Sequence, residues 1–391
     1  MPALSNRFSS LPTYPLAELP VLKRKLRAEG VDLIDLGVGD ADLPPPPAAI
    51  AALTSAAQVP ANSRYSFQLG LPAFREEVAS WMEQRFGVRI DPFQEMVPII
   101  GSKEGLFHLP LAFLDPGDVA IIPDPGYQAY IGGTVLSGGE AHLVPLLREN
   151  DFLIPLEELP PDMVRRAKLI YLNYPNNPTT ALAPRDYLAE VVEFCHRHDI
   201  LLVYDNAYSE VTFDGYRAPS ILELDGAREV SVEMHSLSKT YNMTGWRIGW
   251  AVGAEPVIAA LTKVKTFSDT GVPFAIQHAA LAAIQSREGW LPSNLAIFEA
   301  RRNAAVATLR EAGFDVSPPS ATMYLWVPLP PGVESGPFAR RLLLEEGVAV
   351  MPGTALGAGG EGFFRIALTV PEERLVEATR RIGRALQAPT A

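Results

Sequence analysis

The feature that most constrains the fold is a series of short apolar runs that alternate with helical segments through the middle of the chain. Residues 119–123, 168–173 and 200–205 are short, apolar and bounded by turn residues, which predicts buried strands. Residues 184–198 lie between the last two runs and have the length and spacing of a helix. This succession predicts parallel strands joined by right-handed crossovers, and therefore an α/β fold.

The predicted strands end in polar residues just where loops begin. Asn173, Asp205 and Ser236 hold these positions. In open α/β sheets the ligand crevice lies outside the carboxyl ends of the strands. We therefore expect the functional site at this edge.

The pattern changes after about residue 280. A helical stretch over residues 276–312 leads to short strands at 323–327 and 364–368. We interpret residues 281–391 as a smaller α+β domain and residues 46–280 as the large domain. The segment 1–45 is expected to pack with the small domain.

Composition excludes several classes of protein. The net charge of −12 argues against a nucleic-acid partner, because phosphate binding requires clustered Lys and Arg. No apolar run approaches the roughly 20 residues that span a bilayer, and we expect no membrane partner. The single cysteine, Cys195, cannot form an intramolecular disulfide and is interpreted as a buried structural thiol in a cytoplasmic protein. The histidines show no metal-ligand spacing, so no metal site is predicted.

One lysine lies within a cluster of potential phosphate donors. Ser236 and Ser238 precede Lys239, and Arg247 follows it between Trp246 and Ile248. Two hydroxyls and a guanidinium can bind a phosphate dianion, since the fork of Arg binds two oxygens at once. A lysine amine beside a phosphate site is what pyridoxal 5′-phosphate (PLP) needs. Ser-x-Ser-Lys alone would more often be a solvated loop, but the attached residues 245–249 (GWRIG) strengthen the prediction.

The chain resembles the class I/II aminotransferases of PLP fold type I over nearly its whole length. The pattern is closest to members similar to LL-diaminopimelate aminotransferase and alanine aminotransferase, as residues 268–274 (SDTGVPF) indicate. The resemblance implies a mostly parallel sheet of the seven-stranded type between helices, with a smaller α+β domain. The motifs that carry it, in order, are residues 101–103 (GSK), 124–127 (DPGY), 173–179 (NYPNNPT), 205–208 (DNAY), 235–247 (HSLSKTYNMTGWR) and 364–365 (FR).

The resemblance assigns roles around the cofactor ring. Lys239 would hold PLP as a Schiff base and act as the general base. Asp205 would face the pyridine nitrogen and keep it protonated, while Asn177 and Tyr208 would hydrogen-bond the phenolic oxygen. Tyr127 would stack on the ring face. We thus expect Lys239, Asp205 and Tyr208 to be the catalytic residues.

Further residues would bind the phosphate. Ser236, Ser238 and Arg247 belong to this set, together with Gly101, Ser102 and Lys103 at the start of a helix predicted over residues 104–113. For Lys103 a solvated helix-start lysine is the alternative. Tyr65 matches a tyrosine that reaches the phosphate of the neighbouring subunit, which implies a homodimer with shared active sites.

The resemblance also implies how the substrate binds. Arg365 would grip the α-carboxylate through a bidentate pair, with Asn177 and the backbone of Gly39 nearby. For Gly39 a plain turn glycine is the alternative. The chain departs from the family at Thr180, where a glycine often stands. It has no arginine between residues 266 and 274, which weakens an aspartate-specific assignment.

The predicted reaction moves the amino group of an amino acid to a 2-oxo acid by a ping-pong mechanism. LL-diaminopimelate or alanine would be the donor, and 2-oxoglutarate or pyruvate the acceptor. Tyr14, Tyr65 and the loop near Asp269 could line the side-chain pocket. A PLP-dependent C–S β-lyase is the alternative on the same fold. A transcription regulator is disfavoured, since only about 30 residues precede the first segment that matches the family, around Gly39, too few for a DNA-binding domain.

Overall fold

Strands occur in both halves of the chain. A computed structural model describes residues 2–12 and 19–387. Within these residues the strands are β1 (Ile34–Asp35), β2 (Met96–Ile99), β3 (Val119–Asp124), β4 (Glu140–Pro145), β5 (Ala167–Leu172), β6 (Leu201–Asp205), β7 (Ser231–Ser236), β8 (Gly249–Gly253), β9 (Tyr324–Pro328), β10 (Val348–Ala349), β11 (Met351–Pro352) and β12 (Phe363–Ala367).

Helices surround these strands. In the same described ranges they are α1 (Asn6–Ser9), α2 (Leu19–Ala28), α3 (Pro47–Ala57), α4 (Pro72–Phe86), α5 (Ser102–His108), α6 (Pro110–Phe113), α7 (Gln128–Ser137), α8 (Pro161–Arg166), α9 (Arg185–His198), α10 (Ala227–Val230), α11 (Leu237–Thr240), α12 (Glu255–Ser268), α13 (Phe274–Gln285), α14 (Arg287–Glu311), α15 (Ser335–Glu346) and α16 (Glu372–Gln387). No described helix is long and apolar enough to cross a membrane.

The central sheet has seven strands in the order β2-β8-β7-β6-β5-β3-β4. Strand β8 runs antiparallel to both neighbours, whereas the pairs from β7 to β4 are parallel. Strands β3, β5 and β6 are buried on both faces, as expected when helices cover both sides of a parallel sheet. The predicted α/β fold is confirmed, and the three strands predicted from apolar runs differ from the observed ones by one residue at their ends.

Helix α9 illustrates why the crossovers form. Its buried residues, Leu188, Val191, Val192 and Cys195, recur at helical spacing and face the sheet. Asp199 ends the helix in the left-handed conformation, with φ of 55°. Burial raises the pKa of the Cys195 thiol to about 12, which keeps it protonated and unreactive.

A proline divides the helix predicted over residues 104–113. Helix α5 ends at His108 and α6 begins at Pro110, which has no N–H to donate to the carbonyl of Leu106. The hydroxyl of Tyr171 donates to that carbonyl instead, at 3.3 Å. Tyr171 lies on β5, so this bond fixes α5 against the sheet.

A second, antiparallel sheet has the order β11-β12-β9. Helices α14, α15 and α16 pack on it and share one apolar core with it, which includes Phe298, Leu309, Phe364 and Ile382. Strand β1 pairs in parallel with β10, with Ile34 opposite Val348. Residues 36–40, which follow β1, are thereby placed between the two sheets.

Candidate active site

The polar residues at the strand ends lie together. Strands β5, β6 and β7 are neighbours, and Asn173 follows β5 while Asp205 and Ser236 end β6 and β7. The side-chain amide of Asn173 donates to the backbone carbonyl of Asp205 at 2.7 Å. These contacts build one surface at the carboxyl edge of the sheet.

The loop after β5 is held by its own asparagines. Asn173 Oδ1 accepts from the backbone N–H of Asn177 at 2.8 Å, and Asn176 Oδ1 accepts from the hydroxyl of Thr179 at 2.7 Å. Asn177 is thereby fixed facing the site. Thr180 has φ of 61°, which explains why a glycine suits this position.

We expect Thr180→Gly to raise the free energy of unfolding by about 1 kcal/mol, because a β-branched residue is strained at positive φ. Urea titration of the purified protein measures the change. The matched control is Thr54→Gly in α3, at an exposed helical position. Glycine there should lower the free energy of unfolding by roughly 0.5–1 kcal/mol. Equal losses in both variants would contradict strain at Thr180.

Asp205 is a buried carboxylate at the end of β6. Its Oδ2 accepts from the hydroxyl of Tyr130 at 2.8 Å, while Oδ1 is buried without a hydrogen-bond partner among the described residues. Burial raises the pKa of Asp205 to about 6, against the opposing effects of the Tyr130 hydroxyl, the backbone N–H of Ala207 and His235. Such a carboxylate is suited to a cationic partner that pairs with Oδ1.

Behind Asp205 lies a packed histidine, His235. Its ring stacks on Trp250 at 5.0 Å and meets Trp81 edge-on at 5.3 Å. His235 Nε2 lies 2.7 Å from Glu233, which is fully buried and accepts from Asn206 at 2.7 Å. Burial raises the pKa of Glu233, but His235 and these hydrogen bonds together lower it below its usual value.

Lys239 and Arg365 face one short stretch of backbone. Lys239 Nζ donates to the carbonyl of Gly39, and Arg365 donates to the carbonyl of Gly37 at 3.0 Å. The two carbonyls are two residues apart, although the side chains come from α11 and β12. The amine and the guanidinium thus converge on one stretch of backbone, and a guanidinium there can bind a carboxylate.

The guanidinium of Arg365 is oriented from several sides. Asn177 Oδ1 accepts from it at 2.6 Å, and the ring of Tyr324 lies 4.1 Å from its Cζ. Its Nε is buried without a hydrogen-bond partner among the described residues. Arg365 thus retains donor capacity for an anionic group.

Arg247 and the turn before α5 lie side by side. The Arg247 guanidinium donates to the carbonyls of Thr244 at 2.9 Å and Ile100 at 3.2 Å, and remains exposed. A Cβ at Gly101 would overlap it, so only glycine allows this approach. The guanidinium therefore lies beside the first residues of α5.

The remaining predicted phosphate and ring residues lie at helix starts. Ser236 Oγ accepts from the backbone N–H of Ser238 at 3.2 Å and caps α11, which carries Lys239. Ser102 begins α5, and exposed Lys103 has its Nζ 5.6 Å from the ring centre of Tyr127.

Tyr65 makes no described contact with these residues. It is 70% exposed, and Phe67 and Leu69 beside it are 56% and 75% exposed. The three large side chains form an apolar surface next to the loop near Asp269. Tyr14 lies outside the described residues.

Sequence reasoning did not find three buried partners: Tyr130, Tyr324 and Lys265. Glu104, His108 and Asp269 have ligand atoms within 4.8 Å of one another, a spacing that could suit a metal ion. Lys265 Nζ already lies 3.0 Å from both carboxylates, so it supplies the positive charge there. The carboxylate of Asp269 is thereby held by Lys265.

The family model described as aminotransferase class I and II matches residues 31–382. The chain belongs to this family. The aminotransferase is 48% identical over 378 residues to the LL-diaminopimelate aminotransferase of Desulforudis audaxviator (strain MP104C), covering 97% of this chain and 96% of the relative. The predicted resemblance is confirmed, and the comparisons give no support to a C–S lyase.

Solved structures agree with the family. The aminotransferase is similar to a probable N-succinyldiaminopimelate aminotransferase from Thermus thermophilus, with 39% identity, a TM-score of 0.90, and coverage of 95% of this chain and 100% of that one. It is similar to substrate-bound BacF from Bacillus subtilis at 33% identity and a TM-score of 0.94, covering 99% and 98%. Enzymes of this class depend on PLP, so the enzyme is a PLP-dependent transaminase, as predicted.

Proposed function

We propose that this enzyme binds PLP at Lys239 and moves the amino group of LL-diaminopimelate to a 2-oxo acid, 2-oxoglutarate or pyruvate. The observation that carries the proposal is the convergence of Lys239 and Arg365 on the carbonyls of Gly39 and Gly37. The donor follows from relatives named LL-diaminopimelate aminotransferase that are 45–48% identical over 97% or 98% of this chain.

The residues present fit PLP. Asp205 Oδ1, buried and without a partner among the described residues, suits a pyridine N–H. Tyr208 and Asn177 would hydrogen-bond the phenolic oxygen, and Tyr127 would stack on the ring face. The phosphate donors would be Gly101, Ser102, Lys103, Ser236, Ser238 and Arg247. When bound, the cofactor supplies an electron sink for the substrate's α-carbon.

The chain's own residues would hold the substrate and move one proton. Arg365 binds the α-carboxylate with two parallel N–H···O bonds, while Gly39 offers backbone beside it. Lys239 Nζ would take the proton from the α-carbon and hold it on its amine. Asp205, as a carboxylate, would keep the pyridine nitrogen protonated, which this step requires.

Arg365→Lys is expected to raise KM for the amino donor about 10²-fold, since Lys cannot form the bidentate pair. The effect on kcat should be smaller, because the α-carbon and Lys239 are untouched. Steady-state kinetics with varied donor measure both constants. The control is Arg340→Lys, an exposed arginine of α15, which should leave KM unchanged. An unaltered KM in Arg365→Lys would refute the carboxylate role.

A donor screen tests the substrate directly. The purified enzyme is given LL-diaminopimelate, alanine, aspartate, glutamate or an aromatic amino acid, each with 2-oxoglutarate and separately with pyruvate. We expect kcat/KM to be highest for LL-diaminopimelate with one of the two acceptors. A higher value for alanine or any other donor would overturn the donor assignment and leave the transaminase class intact.

We also propose that a second copy of the chain covers Tyr65, Phe67 and Leu69, and that Tyr65 reaches the phosphate in the neighbour's site. Exposed apolar patches of this kind mark interaction surfaces. The segment is held in place for this role: Ser66 and Gln68 donate to the carbonyls of Thr270 and Asp269 at 3.4 and 3.0 Å.

Subunit mixing distinguishes a shared site from a separate one. Lys239→Ala and Tyr65→Ala are each purified, mixed, and exchanged through mild denaturant. A mixed dimer has one site with both native residues if Tyr65 acts across the interface, so activity should exceed the sum of the separate variants. If Tyr65 acts within its own chain, mixing gives no gain.

A further inference from the structure

Tyr324 is a buried tyrosine that connects the proposed cofactor and carboxylate residues. It begins β9, pairs with Ala367 of β12, and is 3% exposed. Its hydroxyl lies 3.1 Å from the hydroxyl of Tyr208, within hydrogen-bond distance. The face of its ring lies 4.1 Å from Cζ of Arg365. One side chain therefore contacts both ends of the site with different parts of its structure.

The position of Tyr324 is fixed by its surroundings. Its backbone N–H donates to Thr322 Oγ1 at 3.2 Å, at the turn that leads into β9. A Cβ at Gly39 would overlap the Tyr324 hydroxyl and ring. Gly39 is thus required for packing, which adds a reason beyond a turn for glycine at this position. The carbonyl of the same Gly39 accepts from Lys239.

The two contacts of Tyr324 have separable physical effects. A hydrogen bond between phenols restricts the direction in which the Tyr208 hydroxyl points. The ring face attracts the guanidinium and limits its rotation. Asn177 and Gly37 bind the edges of that guanidinium, so the ring fixes its remaining degree of freedom.

We propose that Tyr324 is a positioning residue with two functions: its hydroxyl orients Tyr208 toward the cofactor, and its ring holds the guanidinium of Arg365 for the substrate carboxylate. The proposal rests on the proposed function, since it assumes that Tyr208 and Arg365 meet cofactor and substrate. Under this proposal, Tyr324 links the residue that meets the cofactor to the residue that meets the substrate.

Tyr324→Phe and Tyr324→Leu separate the two functions. Tyr324→Phe keeps the ring, so the donor KM should stay within about twofold of wild type. The pH midpoint of the bound cofactor's visible absorption should rise by about 0.5 units or more, since Tyr208 is less well oriented. Tyr324→Leu should show the same shift and also raise KM by about 2–30-fold.

Two double-mutant cycles distinguish the positioning role of Tyr324 from a merely structural one. Tyr324→Phe should give no further absorption shift in a Tyr208→Phe background, and Tyr324→Leu no further rise of KM in an Arg365→Lys background. Additive effects in both cycles would overturn the proposal, as would a wild-type absorption midpoint in Tyr324→Phe. The absorption titration needs only bound PLP, so it gives an answer even when a variant does not turn over the donor. If the wild-type enzyme did not bind PLP, the proposed function itself would be refuted.

Discussion

Replacing Lys239 with Ala is expected to lower kcat by at least about 10⁴-fold, because it removes both the amine that anchors the cofactor and the proposed base at the α-carbon. The pH-dependent visible absorption of the bound cofactor should disappear with it. Lys239 is half-buried and ends in one hydrogen bond to the Gly39 carbonyl, so truncation leaves the surrounding packing in place. Turnover and absorption spectra of the PLP-loaded protein measure the two effects.

The control for this variant is Lys263→Ala, an exposed lysine of α12. It should keep both wild-type turnover and the wild-type spectrum. A thermal melt of each variant shows whether the fold is retained. If Lys239→Ala kept more than about a tenth of the wild-type kcat, the assignment of Lys239 would be wrong.

Asp205→Asn is expected to lower kcat by about 10³-fold, since a neutral amide cannot stabilise a protonated pyridine nitrogen as the buried carboxylate does. The Tyr130 hydroxyl can still donate to the amide oxygen, so the geometry is retained. Single-turnover kinetics with the preferred donor isolate the chemical step. Asp124→Asn is the control: this carboxyl ends β3, is also buried, and accepts from Gly359 at 3.1 Å, and we expect a loss below tenfold. Equal losses in the two variants would contradict a specific role.

The same substitution has the opposite effect on the stability of the PLP-free protein. Burial raises the pKa of Asp205 from 3.8 to about 6, so the folded state binds its proton more tightly than the unfolded chain. Its contribution to stability is therefore lost as pH rises across that window and stays lost above it. At pH 8 Asp205→Asn should be more stable than wild type by up to about 3 kcal/mol. A lower stability of Asp205→Asn than of wild type at pH 8 would show that the ionised carboxylate stabilises the folded protein.

Strands β3, β5 and β6 of the central sheet were predictable because they are short, apolar and bounded by turns. Polar residues at the strand ends, such as Asn173 and Asp205, mark the carboxyl edge, and the topology then brings them together whatever their distance in sequence. Lys239 could be found because its phosphate donors are its chain neighbours. These signals are local, which is why a sequence carries them.

Contacts between distant segments could not be predicted. Tyr130 meets Asp205 across 75 residues, and Tyr324 meets Tyr208 across 116. Neither tyrosine lies in a local pattern that distinguishes it from a core residue, since the pairing depends on register and packing. The division of the chain near residues 45 and 280 and a cytoplasmic location stay predictions.

Reduction of the PLP-loaded enzyme with sodium borohydride tests the central claim most directly. Borohydride converts an imine between a lysine and PLP into a stable amine, so the labelled lysine can be located by peptide mass mapping. We predict one labelled peptide per chain, with the pyridoxyl group on Lys239 and none on Lys103 or Lys265. A label on another lysine, or a loaded enzyme that carries no label, would contradict the account.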